Sequence, residues 1–210
     1  MKKIMLELKI PLLISIVFIF ICGLVYPMLI TGLSQVIFPK QANGSLITVN
    51  DEIIGSELIG QTFTDPRFMK GRPSAVNYNT YTAEQKEDGS YGGVASGSNN
   101  LAPTNPELKK RVEKDMAGFL QTNPTISKDQ IPTDLLTASG SGLDPHISYE
   151  SALVQIPGLS ENSGLPENVL EEIVKDNTQD KFIGIFGEKI VKVLGVNSDI
   201  AKKLNLIVGE

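Results

Sequence analysis

The 210-residue chain has 19 basic and 24 acidic residues, a formal net charge of −5 and a mean hydropathy of zero. With 41% hydrophobic residues, these values exclude a chain that is disordered as a whole and a polytopic membrane protein. One Cys and one His exclude an intrachain disulfide framework and a Cys/His zinc site.

The apolar weight lies at the N-terminus. No charged residue occurs from Ile10 to Pro39, and Ile10–Ile30 is almost wholly apolar. At about 1.5 Å per residue, such a run crosses a hydrocarbon core about 30 Å thick. The rival reading is a cleaved signal peptide, with Gly32-Leu33-Ser34 as the small-residue site; the length of the run favours an uncleaved anchor in membrane lipid. Lys2, Lys3 and Lys9 precede the span and only Lys40 follows it closely, so the positive-inside rule puts the N-terminus in the cytoplasm and the rest outside. The expected division is a cytoplasmic N-terminus (1–9), a transmembrane helix (10–33), a connector (34–45) and an extracytoplasmic soluble domain (46–210). Ser15, Gly23, Pro27 and Thr31, spaced by eight, four and four, form a small-residue face for helix packing, and Pro27 is expected to kink the span.

Setting aside Lys2, Lys3, Lys9, Lys40 and Glu7 leaves 15 basic and 23 acidic residues in 41–210, about −8. That argues against a nucleic-acid partner, because phosphate neutralisation needs Lys and Arg. Gln41–Ser45 reads as a polar turn, Leu46–Val49 as a strand, Asn50-Asp51 as a turn and Glu52–Ile54 as the hairpin return. A further strand is expected around Leu58–Phe63. From Lys70 to Pro106 the chain is rich in Gly, Ser, Asn, Pro and Tyr without apolar periodicity, the pattern of a linker or a functional loop.

Asn105-Pro106-Glu107 opens a helix with N-cap, proline and acid in order. Leu108, Val112, Met116, Phe119 and Leu120 give it an apolar face, and Asn123-Pro124 ends it. Lys109, Lys110, Arg111 and Lys114 alternate with Glu107, Glu113 and Asp115 and read as a solvated face. A short turn over Ser127–Ile131 and an apolar piece at Leu135–Ala138 follow. Ser148 caps a helix at Tyr149–Gln155. Pro166 opens one whose face is Val169, Leu170, Ile173 and Val174. Ile190–Val196 alternates like a strand, and Ser198 caps a last helix with Ile200 and Leu204 inward. The fold class is α/β (α+β): a single soluble domain attached to one N-terminal transmembrane helix.

His146, near Ser139, Ser141 and Asp144, suggests a serine hydrolase, but the Gly-x-Ser-x-Gly elbow is absent. The Ser139-Gly140-Ser141-Gly142 loop can be read as a phosphate cradle or nucleotide contact, or as a tight turn needing positive φ. It lacks the Gly-Lys-Ser/Thr ending of a P-loop.

Three segments, Gly71-Arg72-Pro73-Ser74-Ala75, Ser96-Gly97-Ser98-Asn99-Asn100-Leu101-Ala102-Pro103-Thr104-Asn105-Pro106 and Thr137-Ala138-Ser139-Gly140-Ser141-Gly142-Leu143-Asp144-Pro145-His146-Ile147-Ser148, together resemble the C subunit of Kdp potassium-transporting P-type ATPases. The likeness, in segment order and N-terminal span, runs from Met1 to about Leu204. Where that family often has His-Thr, this chain has Asn177-Thr178; Gly187-Glu188-Lys189-Ile190-Val191-Lys192-Val193-Leu194 replaces the family's Gly-Glu-Pro-Arg-Val-Asn-Val-Leu. The resemblance implies a non-catalytic accessory subunit of an ATP-driven potassium uptake complex in a prokaryotic cell membrane. Its partners would be the channel-like potassium subunit, the ATP-hydrolysing P-type subunit and the small fourth subunit of the Kdp complex. The family role is to assist assembly and to raise the ATP affinity of the ATP-hydrolysing subunit, where ATP with Mg acts; potassium is the transported ion. No Asp-Lys-Thr-Gly phosphorylation motif is present. The expected docking residues are Arg72, Pro73, Ser74, Asn99, Asn105, Asp144 and His146. The alternatives are a membrane-anchored extracytoplasmic hydrolase using His146 and an anchored solute-binding module.

Overall fold

The computed structural model describes residues 2–49, 52–91 and 93–207, with side chains from residue 8 onward. The chain divides into two compact units at Leu46–Ile47.

The first unit is helical. Helix α1 (Lys2–Phe20) runs through a π-turn (Ile21–Val25) into α2 (Tyr26–Ile37), and a short α3 (Pro39–Ala42) follows. Leu8–Ile37 is, among the described residues, the one helix long and apolar enough to cross a membrane, and none of it is buried by protein. A helix apolar on all sides with no protein cover suits hydrocarbon. The π-turn has an identifiable cause. Pro27 has no N–H, and its ring crowds the carbonyl of Gly23, four residues back. The backbone widens at that point, and the Tyr26 N–H reaches the Ile21 carbonyl instead. The expected polar turn after the membrane is partly helical, as α3, before the chain turns at Asn43-Gly44.

In the second unit β1 (Leu46–Val49) pairs with β2 (Glu52–Ser56); the expected Asn50-Asp51 turn lies outside the described residues. The strand expected at Leu58–Phe63 is absent. That stretch is irregular, with a lone bridge between Ser56 and Ile59. Its geometry is set by Gly60, where an added Cβ would lie 2.5 Å from the Asp144 carbonyl oxygen and 2.5 Å from the Tyr78 ring. Among its described residues the 70–106 stretch holds a tight turn at Asn77–Asn79 and one short helix, α4 (Ala83–Glu87). A reciprocal box of Thr82 and Gln85 caps α4.

Helix α5 (Pro106–Thr122) starts and stops as its sequence predicts. The Asn105 side chain accepts from the Glu107 N–H at 2.9 Å. Its charged side pairs Lys109 with Glu113, Lys110 with Glu107 and Arg111 with Asp115. After 3₁₀ turns at Lys128–Gln130 and Thr133–Leu135 come β3 (His146–Ser148), α6 (Tyr149–Leu153), α7 (Ile156–Ser163), α8 (Glu167–Asp176), β4 (Thr178–Gln179), β5 (Ile190–Lys192) and α9 (Val193–Lys203). Strand β5 is central in an antiparallel sheet of order β3-β5-β4, with Ile147 opposite Val191 and Thr178 also opposite Val191. Met69, Ile147, Leu170, Val174, Val191, Val196 and Ile200 form the centre of the core, each no more than 2% exposed.

Two expectations at the C-terminal end need correction. The strand stops at Lys192, not Val196, and α9 starts at Val193, so Ser198 is an interior helical residue and not a cap. Val193, Leu194, Val196, Ile200 and Ala201 are all buried along α9, and that apolar spacing suits a helix buried on most of its circumference. The Ser198 hydroxyl is buried without a partner among the described residues.

Candidate functional site

Two buried amides set where the site begins. Asn197, on α9, accepts from the Met69 N–H at 2.7 Å and donates to the Met69 carbonyl at 2.9 Å. Gln155, just before α7, does the same for Lys70 at 2.9 and 3.2 Å. The backbone at 69–70 is therefore held as if by a neighbouring strand. Burial lowers the pKa of the Lys70 ammonium.

From there the chain runs out through Gly71 and Arg72. The Arg72 guanidinium donates to the Thr137 carbonyl at 3.3 and 3.4 Å and pairs with the Asp144 carboxylate at 3.5 Å. Both side chains stay about a quarter exposed. The other Asp144 oxygen accepts from the His146 backbone N–H at 3.0 Å, an Asx turn that fixes the carboxylate. The Tyr78 hydroxyl donates to the Arg72 carbonyl at 2.7 Å. Burial, assisted by the Asp144 charge and opposed by Arg72, pushes the Tyr78 phenol up to about 12.

Ser74 links the first and third family-like segments. Its hydroxyl donates to the Gly142 carbonyl at 2.6 Å and accepts from the N–H groups of Val76 and Tyr78 at 3.2 and 2.9 Å. The Gly142 N–H in turn donates to the Ser96 carbonyl at 2.9 Å, which brings in the second segment. Asn77, Tyr78 and Asn79 have φ of 49°, 52° and 54°, a left-handed turn that L-residues adopt at a cost. The turn is secured by Asn79, whose amide donates to the Ala95 carbonyl and accepts from the Ala95 N–H, both at 3.0 Å.

The three segments surround a cleft of about 310 Å³ lined by Ser74, Ser98, Asn99, Thr137, Gly140 and Arg111 among others. A second cleft of about 400 Å³ lies against Arg72, Asp134, Asp144, His146, Glu188 and Lys189. Of the expected docking residues, Arg72, Ser74, Asn99, Asp144 and His146 thus line one cleft or the other. Pro73 lies between Arg72 and Ser74 and is half-buried. Asn105 lines neither of these clefts; its side chain serves as the α5 cap.

The Ser139–Gly142 loop differs from a phosphate cradle. The Ser139 and Ser141 hydroxyls accept from N–H groups two residues on, at 3.4 and 3.2 Å, and β3, not a helix, follows. Neither Gly140 nor Gly142 has positive φ, so the expected need for positive φ in this turn is corrected. Gly142 is required by close approach: a Cβ there would lie 2.9 Å from the Gly97 carbonyl oxygen and 2.5 Å from Val76. The His146 imidazole lies 3.9 Å from Asp144. Burial lowers its pKa, the Asp144 charge opposes this and Lys192 adds to it.

Several residues that build the site carried no local signal. Asp134 accepts from the Ser148 N–H at 2.8 Å, from the Ser148 hydroxyl at 3.2 Å and from the Ser151 hydroxyl. It ties the third segment to α6. Asn197 and Gln155 likewise act across 128 and 85 residues of sequence. Tyr78 was the one with a readable cue, an aromatic residue within a Gly/Asn/Ser stretch. Asn177, where the family often has His, donates to the Ile173 carbonyl and to Asp199, joining α8 to α9. In the first unit, Ser15, Gly23, Pro27 and Thr31 are all exposed, and Gly23 has open space beside it.

A family model described as K+-transporting ATPase, c chain, matches residues 8–202. The chain is 65% identical over 199 residues to the potassium-transporting ATPase KdpC subunit of Clostridium kluyveri, covering 95% of each chain. It is 58% identical to that of Clostridioides difficile, covering 95% of this chain and 99% of the relative. The Caldanaerobacter subterraneus protein of the same name is 41% identical over 198 residues, 94% of this chain and 96% of the relative.

Proposed function

The chain belongs to the KdpC family of potassium-transporting ATPase subunits, accessory and not catalytic, and from that premise we propose that its soluble domain docks on the channel-like potassium subunit through the surface around Arg72 and Asp144. In this reading the domain lies outside the cell, near the outer mouth of the potassium pathway. It assists assembly of the channel-like, ATP-hydrolysing and small subunits. It raises the ATP affinity of the ATP-hydrolysing subunit indirectly, through the membrane parts of the complex. The charge flanks of the apolar span support the outside location. ATP and Mg act at the ATP-hydrolysing subunit, and this chain supplies no nucleotide contact of its own.

One observation carries the docking reading. Arg72 and Asp144, 72 residues apart, meet at a partly exposed ion pair that joins the first and third family-like segments. An internal core would not need a partly solvated pair at that junction, whereas a partner surface uses such groups for register and specificity. Arg72→Ala and Asp144→Ala are each expected to weaken co-purification of the complex by about tenfold, the equivalent of about 1.4 kcal/mol. Thermal unfolding of each variant confirms that the domain remains folded. Intact assembly and potassium uptake in both variants would show the docking surface to be elsewhere.

A further inference from the structure

The loop between β4 and β5 has a feature that the docking surface does not use. Phe182, Ile183, Ile185 and Phe186 are 65–73% exposed, and no charge interrupts the chain from Phe182 to Gly187. Large apolar residues exposed singly are ordinary, but four within five positions are not. The loop is also tightly formed. Phe182 N–H donates to the Phe186 carbonyl at 2.8 Å and Phe186 N–H returns the bond at 3.0 Å. Gly184 N–H donates to Lys181 and Ile185 N–H to Phe182. At the tip Ile183 has φ +55° and Gly184 φ +73°. A β-branched residue in the left-handed region is an outlier, and it persists where surroundings or function require it.

From this we infer that the Phe182–Phe186 hairpin is a lipid-contacting tip that enters the membrane interface beside the domain. Two features favour lipid over protein as the occupant. Four of the five N–H groups from Phe182 to Phe186 (those of Phe182, Gly184, Ile185 and Phe186) bond within the loop, which lowers the cost of moving its backbone into an apolar solvent without hydrogen-bonding partners. The domain is also tied to the apolar span by a short connector. The apolar span ends at Ile37 and β1 starts at Leu46, a tether of at most about 30 Å. Such a tether makes weak contacts effective by keeping the local concentration high. The base of the hairpin carries Asp180, Lys181, Glu188 and Lys189, two charges of each sign. Insertion is therefore driven by apolar contact and is insensitive to salt and to anionic lipid. The inference rests on the Leu8–Ile37 helix being an attached anchor, and not on the Arg72 docking surface.

The chain contains no Trp, so a single introduced indole is a unique reporter. The full chain carrying Phe182→Trp is reconstituted into phosphatidylcholine vesicles, with or without acyl chains brominated near the headgroup. Val94→Trp, at another exposed position, is the control. The expected result is a blue-shifted emission for Phe182→Trp that brominated lipid largely removes, unchanged by high salt, with Val94→Trp unaffected. Ile183→Asp with Ile185→Asp, added to Phe182→Trp, should abolish the quenching while the chain still floats with the vesicles. A floating chain whose Phe182→Trp emission stays unquenched would overturn the inference and leave the anchor standing. A blue shift that arises only on adding the other proteins of the complex, without quenching, would assign the tip to a protein surface and overturn it too. A chain that fails to float would remove the anchor and the inference together.

Discussion

Asn197 donates to and accepts from the backbone of a single residue, Met69, in the least exposed part of the core. Asn197→Ala removes both partners at once and leaves a buried N–H and a buried C=O without water. At about 1–3 kcal/mol for each stranded group, the expected loss is about 2–6 kcal/mol. Thermal unfolding of the detergent-solubilised chain should show it as a fall in midpoint of roughly 2–4 °C per kcal/mol. His146 gives a pH signature of definite sign. Burial holds its folded pKa below the ordinary value of 6.5, so the unfolded chain takes up the proton first as pH falls. Its contribution is thus fully present above about pH 6.5 and is lost as pH falls through the lower folded value. The unfolding midpoint should drop more between pH 7.5 and pH 5 in the native chain than in His146→Gln. Equal drops would show that the imidazole is not desolvated in the folded state.

At the element scale, local signals were legible and non-local ones were not. The start of α5 is written in Asn105-Pro106-Glu107 and that of α6 in Ser148, because a cap acts on N–H groups two or three residues away. Asn105→Ala should therefore cost about 1 kcal/mol, and Asn105→Gly only a few tenths. Thermal unfolding checks both, and a loss of several kcal/mol from Asn105→Ala would mean that the side chain does more than cap. Helix α7 was not legible. Its proline sits in the first helical turn, where no N–H is needed, and Gly158 lets the helix press against Thr122 and Asn123. The Ile190–Val196 run divides into a strand and a buried helix because short apolar runs do not distinguish the two. In the site, the segments that meet were each recognisable as sequence, but the residues that hold their flanks in place, Asp134, Gln155 and Asn197, were not. Their bonds span 14 to 128 residues and leave no periodic trace.

At the scale of the whole molecule, the side of the membrane on which the domain sits decides how it can influence ATP hydrolysis. An internal domain could touch nucleotide directly. An external one must act through the membrane-embedded parts of the complex, and the Lys2, Lys3 and Lys9 cluster ahead of the apolar span argues for the external case. Ser90 is a suitable reporter because it is exposed, and its N–H is held by Asp88 in a tight turn at 2.8 Å. With Cys22→Ala removing the only native thiol, Ser90→Cys should react with a membrane-impermeant maleimide in intact cells, and to the same extent after lysis. The Cys22→Ala chain without the added cysteine should stay unlabelled in both. If labelling requires lysis, the domain is cytoplasmic, direct contact with nucleotide becomes available to it, and docking at an outer potassium mouth is ruled out. A mature chain that begins near Gln35 would instead show that the span is removed, and a soluble domain would then have to hold its place by docking alone.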